Sequence, residues 1–299
     1  MVSMAEHIPV MYEEVLESFR LKNGDCVVDC TVGTGGHGLG ITERIGSNGH
    51  YIGIERDSDS LVLAKERLKN VSCRCTFAQN DFRHINQILD ELGINEVDAI
   101  LFDLGISSYQ LDDPARGFSL RADGPLDMRM DRHSFISAYD LVNSLSEREI
   151  SAILKNFGQE RWHHRIASCL VQERQKNPIA STRDLSDTVL KAIPSQRQRY
   201  RLHPATRTFQ AFRIAVNREL EAIDLAIEKS IPRLSKGARI CVISFHSLED
   251  RIVKNKFRQF AKEGFLNFVV KKPLKPKLQE IQENPRSRSA LLRIAERVK

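Results

Sequence analysis

The segment Asp29-Cys-Thr-Val-Gly-Thr-Gly-Gly-His-Gly38 constrains this chain more than any other. A short apolar run, Cys26 to Val28, precedes it, and apolar residues at helical spacing, Leu39, Ile41 and Ile45, follow it. This order predicts a strand, a glycine-rich turn and a helix. Glycine lets backbone approach a ligand closely, and the helix start behind the turn offers unpaired N–H groups. By spacing, Gly33, Gly35 and Gly38 satisfy G-x-G-x-x-G, with Glu55 about 20 residues on, the pattern of a dinucleotide site.

The elements that follow repeat the theme. His50 to Glu55 reads as a second strand, Ser58 to Leu68 as a helix capped by Asp57 or Ser58, and Ser72 to Ala78 as a third strand. Ile85, Ile88, Leu89 and Leu92 mark a helix, and Val97 to Phe102 a fourth strand. Strands alternating with helical crossovers predict a doubly wound, Rossmann-like α/β fold with a parallel sheet. Ligands in such folds sit beyond the carboxyl ends of the strands, where this chain places Asp29, Glu55, Asp81 and Asp103.

The pattern then changes. Residues 106–132 are rich in Asp, Arg, Gly and Ser and read as loop. From Phe135 to about Ile193 the periodicity is helical, with a capping box at Ser146 and Glu149. A helical, substrate-recognising insertion over 113–205 is expected, inside a cofactor-binding domain formed by 1–112 and 206–299. Residues 195–218 carry six arginines and no acid, with Tyr200, Phe209 and Phe212 interleaved. Arginine forks suit phosphates and aromatics suit unpaired bases, so RNA contact is expected from Arg199, Arg201, Arg207, Arg213 and Asn217. The spacing of Phe209 and Phe212 with Val216 assigns the two rings mainly to the core. Phe212, Val216, Leu220, Ile223 and Ile227 read as one face of a long helix. A fifth strand over Arg239 to Phe245 precedes another helix at His246, and Leu266–Val270 and Ala290–Ile294 are further strands.

The bulk properties of the 299 residues agree. A net charge of +6 favours a polyanionic partner. No apolar run nears the roughly 18 residues of a membrane span, and the first residues lack the blocks of a signal peptide. The cytoplasm is therefore the expected compartment. The six cysteines lack the paired spacing of a zinc site, so buried free thiols and no metal are expected.

Two features argue against NAD in the glycine turn. Asp29 ends the strand before it, where a pyrophosphate would be repelled. The third and fourth strand ends also carry acids or amides, beside Phe82. S-adenosylmethionine, with a cationic end, a ribose and an adenine, suits the set better. Glu55 would accept the ribose hydroxyls and Phe82 would pack on the adenine.

Seven separated blocks carry a resemblance: His7-Ile-Pro-Val10, Asp29 to His37, Asp103-Leu-Gly-Ile-Ser-Ser108, Gly117-Phe-Ser119, Leu126-Asp-Met-Arg-Met130, Arg207 to Asn217 and Ser244-Phe-His-Ser-Leu-Glu-Asp250. Together they resemble the bacterial 16S ribosomal RNA cytosine-N4 methyltransferases, the MraW or RsmH family, nearly end to end. The resemblance implies a class I methyltransferase fold and methylation of a cytidine N4 in the small ribosomal subunit. It places cofactor contacts on Gly35, Gly36, His37, Glu55, Phe82, Asp103 and Gln110, and Gly33 joins them as the first glycine of the turn. Relatives commonly carry Asp where this chain has Glu55, which keeps the carboxylate. Asp103, Ser107 and His246 are the candidates for chemistry at the amine. No cysteine lies beside Asp103 or in Ser244 to Ser247, which favours amine over carbon methylation. A homodimer is a further open expectation. The competing readings are an NAD-dependent oxidoreductase and a nonenzymatic RNA-binding factor.

Overall fold

A computed structural model describes residues 9–194 and 203–299. His7, Arg197, Arg199, Tyr200 and Arg201 lie outside the described residues. The chain divides into two compact units, one running to Gly105 and resuming at Leu220, the other running from Ile106 to Glu219.

In the first unit, β1 (Cys26–Asp29), β2 (His50–Glu55), β3 (Arg74–Gln79), β4 (Val97–Asp103), β5 (Leu234–Ser244), β6 (Leu266–Phe268) and β7 (Leu291–Arg297) form one sheet in the order β3-β2-β1-β4-β5-β7-β6. β1 to β5 run parallel; β7 is antiparallel to both β5 and β6. This is the doubly wound, Rossmann-like α/β architecture predicted from the strand and helix pattern. Alternate strand residues feed two cores. Val28, Ile52, Ile100, Phe102 and Val242 pack on one face, and Val27, Tyr51, Leu101, Cys241 and Ile243 on the other. Burial on both faces is why the strands read as continuous apolar runs. Helices α1 (Tyr12–Phe19), α2 (Gly36–Ile45) and α3 (Ser58–Arg67) supply the second core; α4 (Ile85–Glu91), α11 (Glu219–Ser230) and α12 (Ser247–Lys262) supply the first. The six cysteines are free thiols.

Strand order reverses between β1 and β4. Asp29 pairs in register with Gly53 and Leu101, and Asp103 with Ile243, so both acids stand at the carboxyl edge beside this switch point.

The second unit contains α5 (Ser108–Asp112), α6 (Ala138–Ser144), α7 (Glu147–Gly158), α8 (His163–Arg174), α9 (Thr182–Ala192) and α10 (Thr206–Asn217). Its core includes Ile150, Leu154, Ile166, Leu185, Phe209 and Phe212. The capping box of α7 forms as expected, Ser146 accepting from the Glu149 N–H. The units therefore meet at 105/106 and 219/220, not at 112/113 and 205/206. The reason is packing: Leu111, Phe209, Ala211 and Phe212 belong to the helical core.

Two further expectations change. The long helix is two helices, because Arg218 turns left-handed at φ 50°. The apolar stripe continues across the break, but Phe212 enters the helical core while Ile223 and Ile227 enter the sheet core. β5 starts earlier than expected, at Leu234, and absorbs polar Ser235-Lys236-Gly237 through a register shift opposite Val97 and Ala99.

Candidate active site

The turn is held from below by buried polar groups. Asp29 is only 1% exposed. It accepts hydrogen bonds from the Tyr51 hydroxyl (2.8 Å) and the Thr31 N–H (3.0 Å). Burial pushes its carboxyl up to about 6. Thr31 in turn accepts the Asp103 N–H on its hydroxyl oxygen at 2.6 Å, tying the turn to the end of β4. Asp29 thus anchors the turn and does not line its open side. Tyr51→Phe should destabilise the protein by about 1–3 kcal/mol, since it strips a buried acid of a hydrogen bond. Urea unfolding at neutral pH measures this, and an unchanged midpoint would refute the anchoring role.

The glycines divide their work. Gly35 takes φ +83°, a conformation other residues rarely adopt, and starts α2. A Cβ at Gly36 would lie 2.6 Å from Pro9 Cγ, and one at Gly38 would lie 2.8 Å from Tyr51 Oη. Gly36 and Gly38 therefore admit close packing against the N-terminal segment and β2.

Glu55 closes the turn from the side. Its Oε2 accepts the Gly33 N–H at 2.8 Å and its Oε1 the Asp57 N–H at 2.9 Å. Burial pushes its carboxyl up to about 7 despite these bonds. Each oxygen keeps a lone pair that a ribose diol could use. At the end of β3, Phe82 packs edge-to-face on Phe102, with ring centres 5.6 Å apart. The neighbouring Asp81 is not available to a cationic ligand. Burial alone would raise its carboxyl, but Arg56 (3.2 Å) and Arg83 (2.9 Å) outweigh that and hold it below its usual value.

Asp103 is half-buried, with 25% of its side chain accessible. Its Oδ2 lies 3.7 Å from His37 Nδ1, and its enclosed Oδ1 has no hydrogen-bond partner among the described residues. Burial pushes its carboxyl up to about 8, and the charges of Asp29 and Glu249 add to the shift. His37 is buried, and burial lowers it to about 4, so the ring is neutral. Its Nε2 lies 3.2 Å from the Val10 carbonyl, which requires the proton there and leaves the Nδ1 lone pair toward Asp103.

His246 caps α12. Its Nδ1 accepts the Glu249 N–H at 3.4 Å, while Glu249 Oε2 accepts the Phe245 and His246 N–H groups at 2.8 and 3.2 Å. Its ring is engaged in the helix start, a structural role beside its expected place in the chemistry. Ser107 and Gln110 make the equivalent reciprocal cap on α5, in the second unit.

The expected RNA contacts separate. Asn217 is 2% exposed, donates to the Met128 carbonyl and accepts the Met130 N–H, both at 2.8 Å. Arg213 forks onto Glu219 with two 2.9 Å bonds. Both side chains are spent on internal contacts, because each meets a partner that its neighbours in sequence do not reveal. Arg207 stays exposed, its guanidinium reaching the Gln159 carbonyl at 3.2 Å.

Thr31, Tyr51, Glu249 and the Val10 carbonyl were not singled out as site residues. Only Glu249 left a trace in the sequence, its capping-box spacing from His246.

Asp103, crowded by Asp29 and Glu249 and carrying an unpartnered oxygen, calls for a donor with positive charge. A pyrophosphate in the same place would add to that repulsion. The donor set thus fits a ligand with a cationic end, a ribose and an aromatic base.

The comparisons agree with this geometry. The family model described as the MraW methylase family matches residues 4–298. The chain is similar to proteins named Ribosomal RNA small subunit methyltransferase H from Clostridium botulinum strain Kyoto (45% identity, covering 98% of this chain and 99% of that one) and Clostridioides difficile strain 630 (42%, 98% and 99%). A third, from Caldicellulosiruptor saccharolyticus, is 44% identical over 99% of this chain and all of that protein. From the turn, the strand-end acids and this full-length match, the chain belongs to the MraW methylase family.

Proposed function

We propose that this methyltransferase transfers the methyl group of S-adenosylmethionine to the exocyclic N4 of a cytidine in 16S ribosomal RNA of the small subunit. The observation that carries the reading is Asp103: a carboxyl at the switch point with an enclosed, unpartnered oxygen among other acids. The names of the similar proteins support the ribosomal substrate.

When bound, S-adenosylmethionine supplies an electrophilic methyl group on a sulfonium. Glu55 would hold the ribose hydroxyls and Phe82 the adenine edge, with Gly33, Gly35 and Gly36 bringing backbone close. His37 stays neutral and fixes the wall facing Asp103. Gln110 adds a cofactor contact by resemblance. Asp103 offers negative charge to the cationic end or accepts an amine hydrogen of the base. A cytosine amine shares its lone pair with the ring. Acceptors for its hydrogens help the nitrogen pyramidalise. Asp103 and the carbonyls of Leu104 and Gly105 are the candidate acceptors, with Ser107 and His246 as weaker candidates. The departing N4 proton passes to Asp103 or to solvent.

RNA contact is proposed for Arg207, and for Arg199 and Arg201 outside the described residues. No helix among the described residues is long and apolar enough to cross a membrane. We place the enzyme in the cytoplasm, with its proposed substrate.

The test is a tritiated-methyl assay on small subunits lacking the modification, followed by nucleoside analysis. Label in N4-methylcytidine is expected. Label in another nucleoside, or none, would refute the assignment. Calorimetry should find S-adenosylhomocysteine binding and no NADH binding; the reverse would restore the dinucleotide reading.

A further inference from the structure

On α12, Lys254 and Arg258 stand four residues apart and so share one face. With Phe268, Lys271, Lys272, Pro273 and Arg293 they line a cavity of about 410 Å³. The loop carrying the two lysines is pinned at both ends. The Val269 N–H donates to the Ile294 carbonyl at 3.2 Å, and Leu274 and Leu292 exchange hydrogen bonds of 2.9 and 3.0 Å. Lys271 and Lys272 therefore project from a fixed backbone.

The charges are arranged unlike those elsewhere on the same helix. Lys256 is taken up by Asp224 (3.1 Å) and Glu228 (2.6 Å). In the cavity, Arg293 is neutralised by Asp250 through bonds of 2.7 and 3.0 Å. The side chains of Lys254, Arg258, Lys271 and Lys272 make no ion pair or hydrogen bond among the described residues, and no acid lines the cavity. Four like charges converging on one space repel each other, and an anion bound there would relieve them.

One wall is aromatic. Phe268 is 36% exposed, and its inner side rests near Phe257, with ring centres 6.5 Å apart. An aromatic ring bordering unpaired cations is the combination that binds single-stranded nucleic acid, the base stacking and the phosphates meeting the cations. The volume suits a nucleotide, since small-ligand sites run to about 300–1,000 Å³. Counted from its N-cap His246, the rise of α12 puts Lys254 about 12 Å and Arg258 about 18 Å further along. An RNA strand of a few nucleotides spans such a distance.

We propose that this cavity anchors an unpaired nucleotide of the substrate RNA. Its phosphates lie on Lys254, Arg258, Lys271 and Lys272, and its base stacks on Phe268. The proposal rests on the RNA reading above and adds a binding surface outside the arginine-rich stretch.

The test uses the full-length protein with Lys271→Glu/Lys272→Glu, and Arg258→Glu as a second, independent variant. Three quantities are read: S-adenosylhomocysteine affinity by calorimetry, steady-state transfer to small subunits, and single-stranded RNA binding against salt. Cofactor affinity should hold, which certifies the fold. KM for the subunit should rise roughly tenfold with little change in kcat. The slope of log affinity against log salt should fall by about 0.7 for each lost phosphate contact. Unchanged KM and slope in both variants, with active wild type, would overturn the anchor and leave the methylation reading standing. Wild type that binds RNA through these lysines yet transfers no methyl group would do the opposite. Variants that lose binding to phosphatidylglycerol vesicles, but not to RNA, would overturn the proposal in favour of a membrane surface.

Discussion

Asp103→Asn should lower methyl transfer at neutral pH by on the order of 10²–10³, the loss that follows removal of one preorganised electrostatic contact. The amide keeps the shape of the side chain and its bond from β4, because Thr31 receives the backbone N–H of residue 103, not its side chain. What disappears is the charge. Oδ1 is enclosed without a partner among the described residues, so the carboxylate contributes little to holding the fold together. The variant should therefore fold normally, bind S-adenosylhomocysteine more weakly and transfer slowly. Asp103→Ala should lose at least as much. Near-wild-type turnover in the asparagine variant would remove Asp103 from the site.

The second large effect is on pH. Without ligand, Asp103 holds its proton to about pH 8, through burial and the charges of Asp29 and Glu249. The groups facing it are Asp29 on β1, neutral His37 on α2 and Glu249 on α12. A cationic ligand binds the ionised form, so affinity should climb with pH up to about 8, by as much as tenfold per pH unit, and then level off. Asp103→Asn should flatten that rise; a wild-type profile that is already flat would contradict it.

Stability should move the other way. A carboxyl whose folded value is raised contributes stability that is complete below its unfolded value and is lost as pH climbs through the folded value. Asp29, Glu55 and Asp103, raised to about 6, 7 and 8, all weaken the ligand-free protein as pH rises. His37 opposes them only below about 6.5. Its folded value is lowered to about 4, so its contribution is complete above the unfolded value and is lost on acidification. Between pH 6.5 and 8 the acids set the slope. Asp103 accounts for about 2 kcal/mol between pH 6.5 and 8, enough to lower Tm by a few degrees. Thermal unfolding of ligand-free protein across this range tests it; a Tm that rises from pH 6.5 to 8.5 would rule out the raised carboxyls.

Much of this could be read along the chain. Runs such as Cys26 to Asp29 and Val97 to Phe102 announce buried parallel strands, and Ser146 with Glu149 announces a helix start. These signals are local: a period and a cap need only a few adjacent residues. For the same reason the apolar stripe predicts a single long helix, which is two helices in the structure. Its apolar stripe crosses Arg218 without interruption, and only the presence of two cores explains the break there.

Polar partnerships escaped. Asp29, Asp81 and Asp103 look alike at strand ends, yet one is held by Tyr51 and Thr31, one by two arginines, and one has no partner on Oδ1 among the described residues. Asn217 and Arg213 sit in a stretch that reads as RNA-facing but meet Met128, Met130 and Glu219 instead.

By itself the sequence determined the strand–turn–helix cradle, the acids at the strand ends and the membership of a methylase family, because each is written in short local blocks that need no knowledge of distant contacts. Only the tertiary structure decided which acid is available to a cation, where the chain changes unit, and that four cations beyond the arginine run share one cavity. Those depend on groups far apart in the chain, such as Thr31 and Asp103, 72 residues apart, or Lys254 and Lys272. Burial period records how deeply a residue lies, but the charge state of a buried group is set by whichever distant dipoles and ions the fold brings to it.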